Sequence, residues 1–527
     1  MSASEQEKIK QKKNKKEELK QMNRKGKRRK NMQKEQKCAN KIKTQNGITL
    51  VALVITIVIL IILATVAINF AFGGDGLIRR AEQASEFYAN DTAYTDESLA
   101  NVAGYLDEAI PFQPQETPEP EETTDEELDT SNGVIEIKWL RGNTDNVSSE
   151  PNAPVIKTDL PSGTTMEQVV YNEAGTTEQE RWVTGTEYSY EPGEGSSDNT
   201  ASEWANARVT IDGIDSYFVW IPRYAYRIIY FNSPENKIAY QEGTLTEADA
   251  VANGQIIGYS DSRGVVDAQG RKIESVASTT HTMVSSDYFM VHPAFTTEIE
   301  NGGWREEIEG IWVGKYESSS VEGNSNSVSG DNTTTKHVKV QPGVSCWRYI
   351  QIGNMWQVSQ NYSSALNSHM LKNSEWGAVA YLTESKYGRN GHEITINNNG
   401  TTFYTGGGTG NTYTTSTNQS TTGNVYGIYD LSGNAWEYVA GYYDEGTTLT
   451  NGSTFADGSS DEYSTTYTGT SASTAYKYGD ATYETSGWHS DVALFVNSDD
   501  PFFVRAGLYS DGDSAGVFYF YGYFRWR

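Results

Sequence analysis

The chain has 527 residues, with 42 Lys or Arg and 69 Asp or Glu, which gives a net charge of −27. The first 44 residues contain 17 basic and five acidic residues, about +12, which leaves about −39 for the remainder. An acidic body lacks the clustered cations that phosphate contacts need, so nucleic acid is not an expected partner. The length predicts roughly two to four domains.

Residues 48–70 form an apolar segment, ITLVALVITIVILIILATVAINF, without a charged side chain. As a helix it is about 35 Å long, at ~1.5 Å per residue, which is enough to cross a bilayer core. Its length disfavours both a core helix and a cleaved secretory signal. Because basic residues crowd only its N-terminal side, the sequence predicts a single-pass plasma-membrane protein. Residues 1–47 would be a cytoplasmic leader and the C-terminal domain would be extracellular.

The segment NGITLVALVITIVILIILATVAINF resembles the N-terminus of prepilin-type proteins. The resemblance implies a prepilin peptidase as a processing partner, with cleavage between Gly47 and Ile48. Residues 71–110 are predicted to form a helical stalk, because apolar residues recur there at spacings of three and four. The fifth mature residue in that family is usually glutamate, and here it is Ala52. A stand-alone anchor and a filament subunit are therefore both open.

Two regions without strong helical signals follow the stalk. Residues 111–132 are rich in Pro, Glu and Thr, and we expect an extended acidic linker. Residues 133–200 contain short apolar runs among polar residues and are predicted to be a small β-rich region. The two cysteines, Cys38 and Cys346, fall on opposite sides of the predicted membrane, so they are not expected to pair.

From residue 201 to residue 527, short aromatic strands alternate with polar loops, which predicts an α+β fold. One helix is predicted, from Lys372 to Gly388. Asn373 or Ser374 can cap its N-terminus, and Gly388 can end it.

The segment GNVYGIYDLSGNAWEYVAG, residues 423–441, resembles the signature of formylglycine-generating enzymes, also called sulfatase-modifying factors. Further segments follow in that family's order: GIWVGKYESS, NSEWGAVAYL, FFVRAGLYS and GYFRWR. The resemblance covers residues 285–527, and more loosely begins at 200. It implies that residues 201–527 adopt an irregular variant of the C-type lectin fold.

The resemblance does not extend to the family's catalytic groups. Its oxidases bind copper through a cysteine pair after the closing arginine element, but no cysteine follows Arg505, and Cys346 lies far upstream. The related iron-dependent branch needs a histidine site. The six histidines are scattered along the chain: His281, His292, His337, His369, His392 and His489. The sequence therefore predicts that the protein is not an enzyme, with a degenerate oxidoreductase as an alternative.

The same resemblance implies a calcium ion held by Asp430, the carbonyl groups of Gly433 and Ala435, and Glu437. Calcium prefers six to eight hard oxygen ligands, and a tight glycine turn can direct two carbonyls and two carboxylates to one point. The alternative interpretation is that Asp430 caps a turn and Glu437 accepts a hydrogen bond from the backbone.

The C-terminal segment 508–523 mixes Tyr, Asp, Ser, Gly and Phe, the composition of antibody-like binding loops. It resembles the variable C-terminus of proteins diversified by retroelements, which share this lectin-like fold. The candidate ligand-binding residues are Leu508, Tyr509, Ser510, Asp511, Asp513, Tyr519, Tyr521 and Tyr523. The alternative is an ordinary closing strand whose Tyr and Phe side chains pack inward. Alternation in GVFYFYGYF fits that alternative for Phe518, Phe520 and Phe524, and would leave Tyr519, Tyr521 and Tyr523 facing outward, so that one strand could serve both interpretations.

Together these patterns predict a membrane-anchored protein of the cell surface that binds an extracellular protein or glycan, as in adhesion. Its lectin-like domain would be non-catalytic and would present a hypervariable C-terminal face. The alternatives are a minor pilin-like structural subunit and the degenerate oxidoreductase.

Overall fold

The computed structural model describes Lys20 and residues 132–171, 188–191, 202–261, 264–266, 289–443, 462–469, 475 and 477–523. The predicted membrane helix, stalk and cleavage position Gly47–Ile48 lie outside the described residues, as do most of the leader and of the linker. Within the part of the chain that is described, no helix is both long enough and apolar enough to cross a membrane. The chain divides into two compact units, Met1–Thr123 and Thr124–Arg527, and all described residues except Lys20 belong to the second.

Strands outnumber helices in the described residues. The strands are β1 Gly133–Trp139, β2 Thr164–Val169, β3 Asn206–Ile211, β4 Ile214–Pro222, β5 Tyr224–Phe231, β6 Ile256–Asp261, β7 Gly264–Val266, β8 Met290–Val291, β9 Gly310–Gly314, β10 Ser319–Ser320, β11 Val338–Lys339, β12 Glu437–Tyr443, β13 Thr465–Tyr467, β14 Ala493–Leu494, β15 Phe502–Arg505 and β16 Phe520–Tyr523. The helices are α1 Pro234–Gln241, α2 Glu247–Ala252, α3 Val328–Asp331, α4 Ile352–Asn361 and α5 Asn373–Glu384. Helices and mostly antiparallel sheets in one unit make the fold α+β, as the sequence predicts.

The strands form three larger sheets and one short pair. The first sheet has the order β1-β5-β6-β7, with β8 also paired to β5, and the second has the order β2-β3-β4-β9. The third has the order β13-β12-β15-β16-β14, and β10 pairs with β11. Pairing is antiparallel except between β12 and β13 and between β14 and β16.

The described strands of residues 133–200 are part of these sheets. Strand β1 pairs with β5 along its whole length, from Gly133 opposite Tyr230 to Trp139 opposite Tyr224. Strand β2 pairs in the same complete way with β3. These strands therefore share their hydrogen bonding and their core with the region that begins at residue 201.

Helix α5 is buried on all sides, and each of its twelve residues is buried. It contacts β1 of the first sheet and β12 of the third, and Trp376 and Tyr381 belong to the largest apolar cluster. Gly377 lets helix α5 pack closely against the backbone at Gly479, because a Cβ at position 377 would lie 1.7 Å from the Gly479 carbonyl oxygen. The helix thus fixes the first and third sheets against one core.

The ends of α5 differ from the prediction. The helix begins after Lys372, whose backbone N–H donates to the Glu375 side chain at 2.9 Å. Asn373 and Ser374 lie inside the first turn, where their side chains bond to neighbouring segments instead of capping. The helix ends at Glu384, before Gly388.

Candidate functional site

The segment 423–441 forms a tight turn that leads into strand β12. Between residues 430 and 434, three residues have positive φ, namely Asp430 at 67°, Gly433 at 83° and Asn434 at 58°. A Cβ on Gly433 would lie 2.4 Å from the Ile396 side chain and 2.6 Å from the carbonyl oxygen of Asn397. Both the φ angle and this close contact require glycine at position 433.

Asp430 is fully buried in this turn. Its Oδ1 accepts hydrogen bonds from Asn397 Nδ2 at 2.8 Å and from the Gly406 backbone N–H at 2.9 Å. Burial raises the pKa of Asp430 to about 6, and these two donors oppose that rise. The bonds agree with the turn-capping interpretation of Asp430, and they also hold the carboxylate in one orientation.

The structure adds a third carboxylate, Glu317, that the sequence reasoning did not identify. Glu317 Oε1 accepts from the Ala435 backbone N–H at 3.0 Å, and Oε2 accepts from Asn434 Nδ2 at 2.6 Å. Glu317 lies in GIWVGKYESS, one of the segments that carry the resemblance to formylglycine-generating enzymes. Its place in that segment was the one indication in the sequence that it could belong to the site.

Burial raises the pKa of both Glu317 and Glu437, and negative charge nearby adds to the effect. Glu437 and Asp430 both raise the pKa of Glu317, and Asp430 raises that of Glu437. None of the three forms an ion pair with a basic residue in the described part of the chain. Buried carboxylates at close range must either take up protons or bind a cation.

The donor set around this turn suits calcium. Its groups are hard oxygens from carboxylates and carbonyls, and the buried Asn434 Oδ1 has no hydrogen-bond partner. No three His, Cys, Asp or Glu side chains of the described residues are arranged to hold a metal by themselves. The predicted calcium ligands are two carboxylates, from Asp430 and Glu437, and two backbone carbonyl groups, from Gly433 and Ala435. The absence of three such side chains among the described residues therefore does not test them. Calcium binding therefore stays a prediction.

The C-terminal segment is hydrogen bonded to the same turn. The Gly433 N–H donates to the Ala506 carbonyl at 3.0 Å, and the Tyr509 N–H donates to the Asn434 carbonyl at 3.1 Å. Leu508 N–H in turn donates to the Asp511 carboxylate at 2.8 Å. Residues 506–511 are thus fixed to the motif through their backbone.

The candidate ligand-binding residues differ in exposure. Ser510 and Asp513 are exposed, whereas Leu508, Tyr509, Asp511 and Tyr521 are half-buried. The ring of Tyr521 stacks on Trp436 at 6.5 Å between centroids, with 3° between the planes. The side chain of Tyr523 and all of Phe524 lie outside what the structure describes.

The prediction that Tyr519 faces outward is wrong, because its side chain is only 3% exposed. Its N–H donates to the Gly516 carbonyl at 3.1 Å and closes a turn, and strand β16 begins only at Phe520. Alternation of faces therefore does not reach back to Tyr519. The inward positions of Phe518 and Phe520 are confirmed.

An aromatic cluster next to Tyr509 was also missed. The Tyr509 ring contacts Phe403 edge-on at 5.2 Å between centroids, and the Arg348 guanidinium lies 3.7 Å from the centroid of Phe403. Phe403 and Tyr349 both have positive φ, 53° and 62°, which is strained for aromatic residues. Contacts between residues this far apart in sequence leave no local pattern.

Cys346 is a buried free thiol beside Glu317, and burial raises its pKa well above the usual value. Among the described histidines, His369 and His489 each pair with a different glutamate, Glu375 and Glu384. His292 is buried among aromatic rings. The structure does not bring these histidines together at one site.

No protein-family model matches the chain, and no curated protein is significantly similar to it.

Proposed function

We propose that this protein is a membrane-anchored binding protein of the cell surface. Its C-terminal domain would be an irregular lectin-like fold of the formylglycine-generating type, with residues 508–523 as the binding face. The observation that carries the proposal is the hydrogen bonding of residues 506–511 to the buried turn at Asp430–Asn434. A short Tyr-, Ser- and Asp-containing loop held by a rigid scaffold is how many binding proteins present their contacts.

The exposure of each side chain assigns its part in binding. Ser510 and Asp513 would bond directly to the ligand, and the half-buried rings of Tyr509 and Tyr521 would supply apolar contact. Aromatic residues and arginine carry most of the energy in protein interfaces, so the neighbouring Arg348 cluster would extend the face. Tyr519, being buried, would support the face from below.

The proposal includes calcium as a structural cofactor at Asp430, Gly433, Ala435 and Glu437. The ion would neutralise buried carboxylates directly beneath the face. Its bonds would stiffen the turn to which residues 506–511 are attached, since calcium binds hard oxygens through several ligands at once. Its contribution would be rigidity, with no chemical step.

We propose that the domain is non-catalytic. The Cys346 thiol is buried and its pKa is raised, which is the opposite of a reactive thiolate. The prepilin-like helix 48–70 would anchor the protein, and linker 111–132 would hold the domain away from the membrane. Alanine at position 52, where prepilin-type proteins usually have glutamate, favours an anchor over a filament subunit.

Deep sequencing of the codons for residues 488–527, in a culture grown from one cell, tests the variable face. We expect substitutions at a subset of codons 508–523, always at template adenines. The internal reference is the stretch of codons for 423–441, which supports the fold. If codons 508–523 are equally invariant, diversification is excluded, and a fixed binding site remains to be tested by ligand screening.

A further inference from the structure

A cavity of about 610 Å³ lies in the domain, and none of residues 508–523 lines it. Its walls come from strands β4 and β9, helix α4 and the start of β12. A volume between about 300 and 1,000 Å³ is typical of sites for small molecules. The proposal that follows does not depend on the binding face.

The walls are mostly apolar and aromatic. Trp220 and Trp312 lie opposite each other on paired strands, with ring centroids 5.2 Å apart. Phe218 and Tyr362 meet at 5.8 Å across the space between β4 and the end of α4. Such rings offer a large contact area to an apolar or aromatic ligand.

The charged residues of the lining are unbalanced. The lining contains one lysine, Lys157, and five acidic residues: Glu307, Glu309, Glu317, Glu375 and Glu437. Glu307 pairs with Arg223 at 2.7 Å, and Glu375 pairs with His369 at 3.1 Å. Glu309 is exposed to water. Glu317 and Glu437 form no ion pair with a described basic residue, so they are the carboxyl groups that a cationic ligand would meet.

Glu317 belongs to the buried part of the lining, being 4% exposed, whereas Val155 in the same lining is 41% exposed. The Glu317 side chain already accepts a hydrogen bond from Asn434, whose own Oδ1 is buried and has no partner. An ammonium group has three N–H donors and a positive charge, which suits a cluster of oxygen acceptors. A carboxylate or phosphate would add a like charge.

We propose that this cavity binds a small hydrophobic amine. The apolar part of the ligand would lie along the Trp220–Trp312 wall, and its ammonium group would lie between Glu317 and Glu437. The ammonium group and calcium would exclude each other at Glu437, so the amine would bind the calcium-free protein. The ligand class follows from two features of the lining: its walls are apolar, and the carboxyl groups of Glu317 and Glu437 have no cationic partner among the described residues. An anionic amphiphile, such as a fatty acid, is disfavoured by the same groups.

The test uses three probes that share a ring and a two-carbon spacer: phenethylamine, 3-phenylpropanoate and 2-phenylethanol. Each is titrated by calorimetry into the full-length protein in nanodiscs, with EDTA present and empty nanodiscs as the blank. We expect phenethylamine to bind at least about tenfold more tightly than 3-phenylpropanoate, with 2-phenylethanol between them. Fluorescence of the lining tryptophans should change at the same concentrations.

Two variants separate charge from shape. Glu317→Gln removes the charge and should reduce phenethylamine to the affinity of 2-phenylethanol, while the exposed Glu306→Gln control changes nothing. Met355→Trp fills the cavity from α4 and should weaken all probes. The proposal is overturned if no probe binds, or if 3-phenylpropanoate binds as tightly as phenethylamine. That comparison uses the unmodified protein, so it decides even if Glu317→Gln fails to fold.

Discussion

Arg505 donates two hydrogen bonds to one oxygen of Asn373, from Nε at 3.0 Å and from Nη2 at 2.9 Å. Both residues are fully buried, and Arg505 Nη1 also donates to the Ala481 carbonyl at 2.9 Å. Burial lowers the pKa of Arg505 to about 10, and the nearby Asp480 opposes that shift. One guanidinium therefore joins the end of β15 to the first turn of α5 and to the loop around residue 480.

Arg505→Met should destabilise the protein strongly. It removes the donors from Asn373 and from the carbonyl groups of Asp480 and Ala481, which leaves these buried acceptors without partners. Each unsatisfied acceptor costs about 1–3 kcal/mol. The measurement is urea unfolding of the full-length protein followed by tryptophan fluorescence. Arg305→Met is the matched control, because the Arg305 side chain is 66% exposed and pairs with Glu462 only at the surface. Its cost should not exceed about 1 kcal/mol, and equal losses for the two variants would contradict the argument.

His292 should make the protein less stable in acid. Burial among aromatic rings lowers its pKa to about 3, below the ordinary value of 6.5. The unfolded chain therefore takes up a proton first, and stability falls as the pH decreases from about 6.5 towards 3. The slope approaches about 1.4 kcal/mol per pH unit. His292→Asn keeps an acceptor for the Ala294 N–H and should show a smaller loss of unfolding free energy between pH 6.5 and pH 4.

His489 provides the opposite case within the same chain. It pairs with Glu384 at 2.9 Å, which raises its pKa despite the opposing effect of burial. This pair contributes stability that is complete below about pH 6.5 and is lost as the pH rises through the raised pKa. His489→Gln should therefore lower stability more at pH 5.5 than at pH 8. If both histidine variants change the pH dependence in the same direction, the two assignments cannot both be right.

Local patterns in the sequence predicted the α+β class, the existence of α5 and the inward faces of Phe518 and Phe520. They did not predict that Glu317 reaches Asn434, since that contact spans more than a hundred residues. The prediction that Tyr519 faces outward failed for a different reason. Period-two alternation holds only within a strand, and a turn precedes β16. The N-terminus of α5 was missed because the side chains of Asn373 and Ser374 bond to distant segments.

Gly400 provides space for the ring of Tyr509. A Cβ at position 400 would lie 2.0 Å from that ring, so Gly400→Ala must displace it. We expect Gly400→Ala and Tyr509→Ala each to destabilise the protein, and the double variant to lose less than the sum. A coupling of about 0.5–3 kcal/mol is typical of residues in direct contact. Unfolding free energies of the four proteins form the cycle, and strict additivity would show that the contact is absent in solution.

Calcium should stabilise the protein through Asp430 and Glu437. A ligand that binds only the folded state at about 100 times its Kd adds ~2.7 kcal/mol to the unfolding free energy. We expect millimolar calcium to raise Tm in calorimetry, and Asp430→Asn or Glu437→Gln to abolish the rise. The exposed Glu306→Gln control should respond like the unmodified protein. A Tm that does not respond, or an unchanged response in Glu437→Gln, would remove calcium from this site.

The calcium effect should also depend on pH and should reach the C-terminal segment. Burial raises the pKa of Asp430 to about 6, so protons compete with calcium there, and the rise in Tm should shrink as the pH falls through 6. Because Gly433 and Asn434 bond to Ala506 and Tyr509, calcium should slow amide exchange in residues 506–511. Peptides from α1, which packs against β1 and β5, serve as the reference. Slowed exchange in α1 as well would indicate a global effect and would separate the ion from the proposed face.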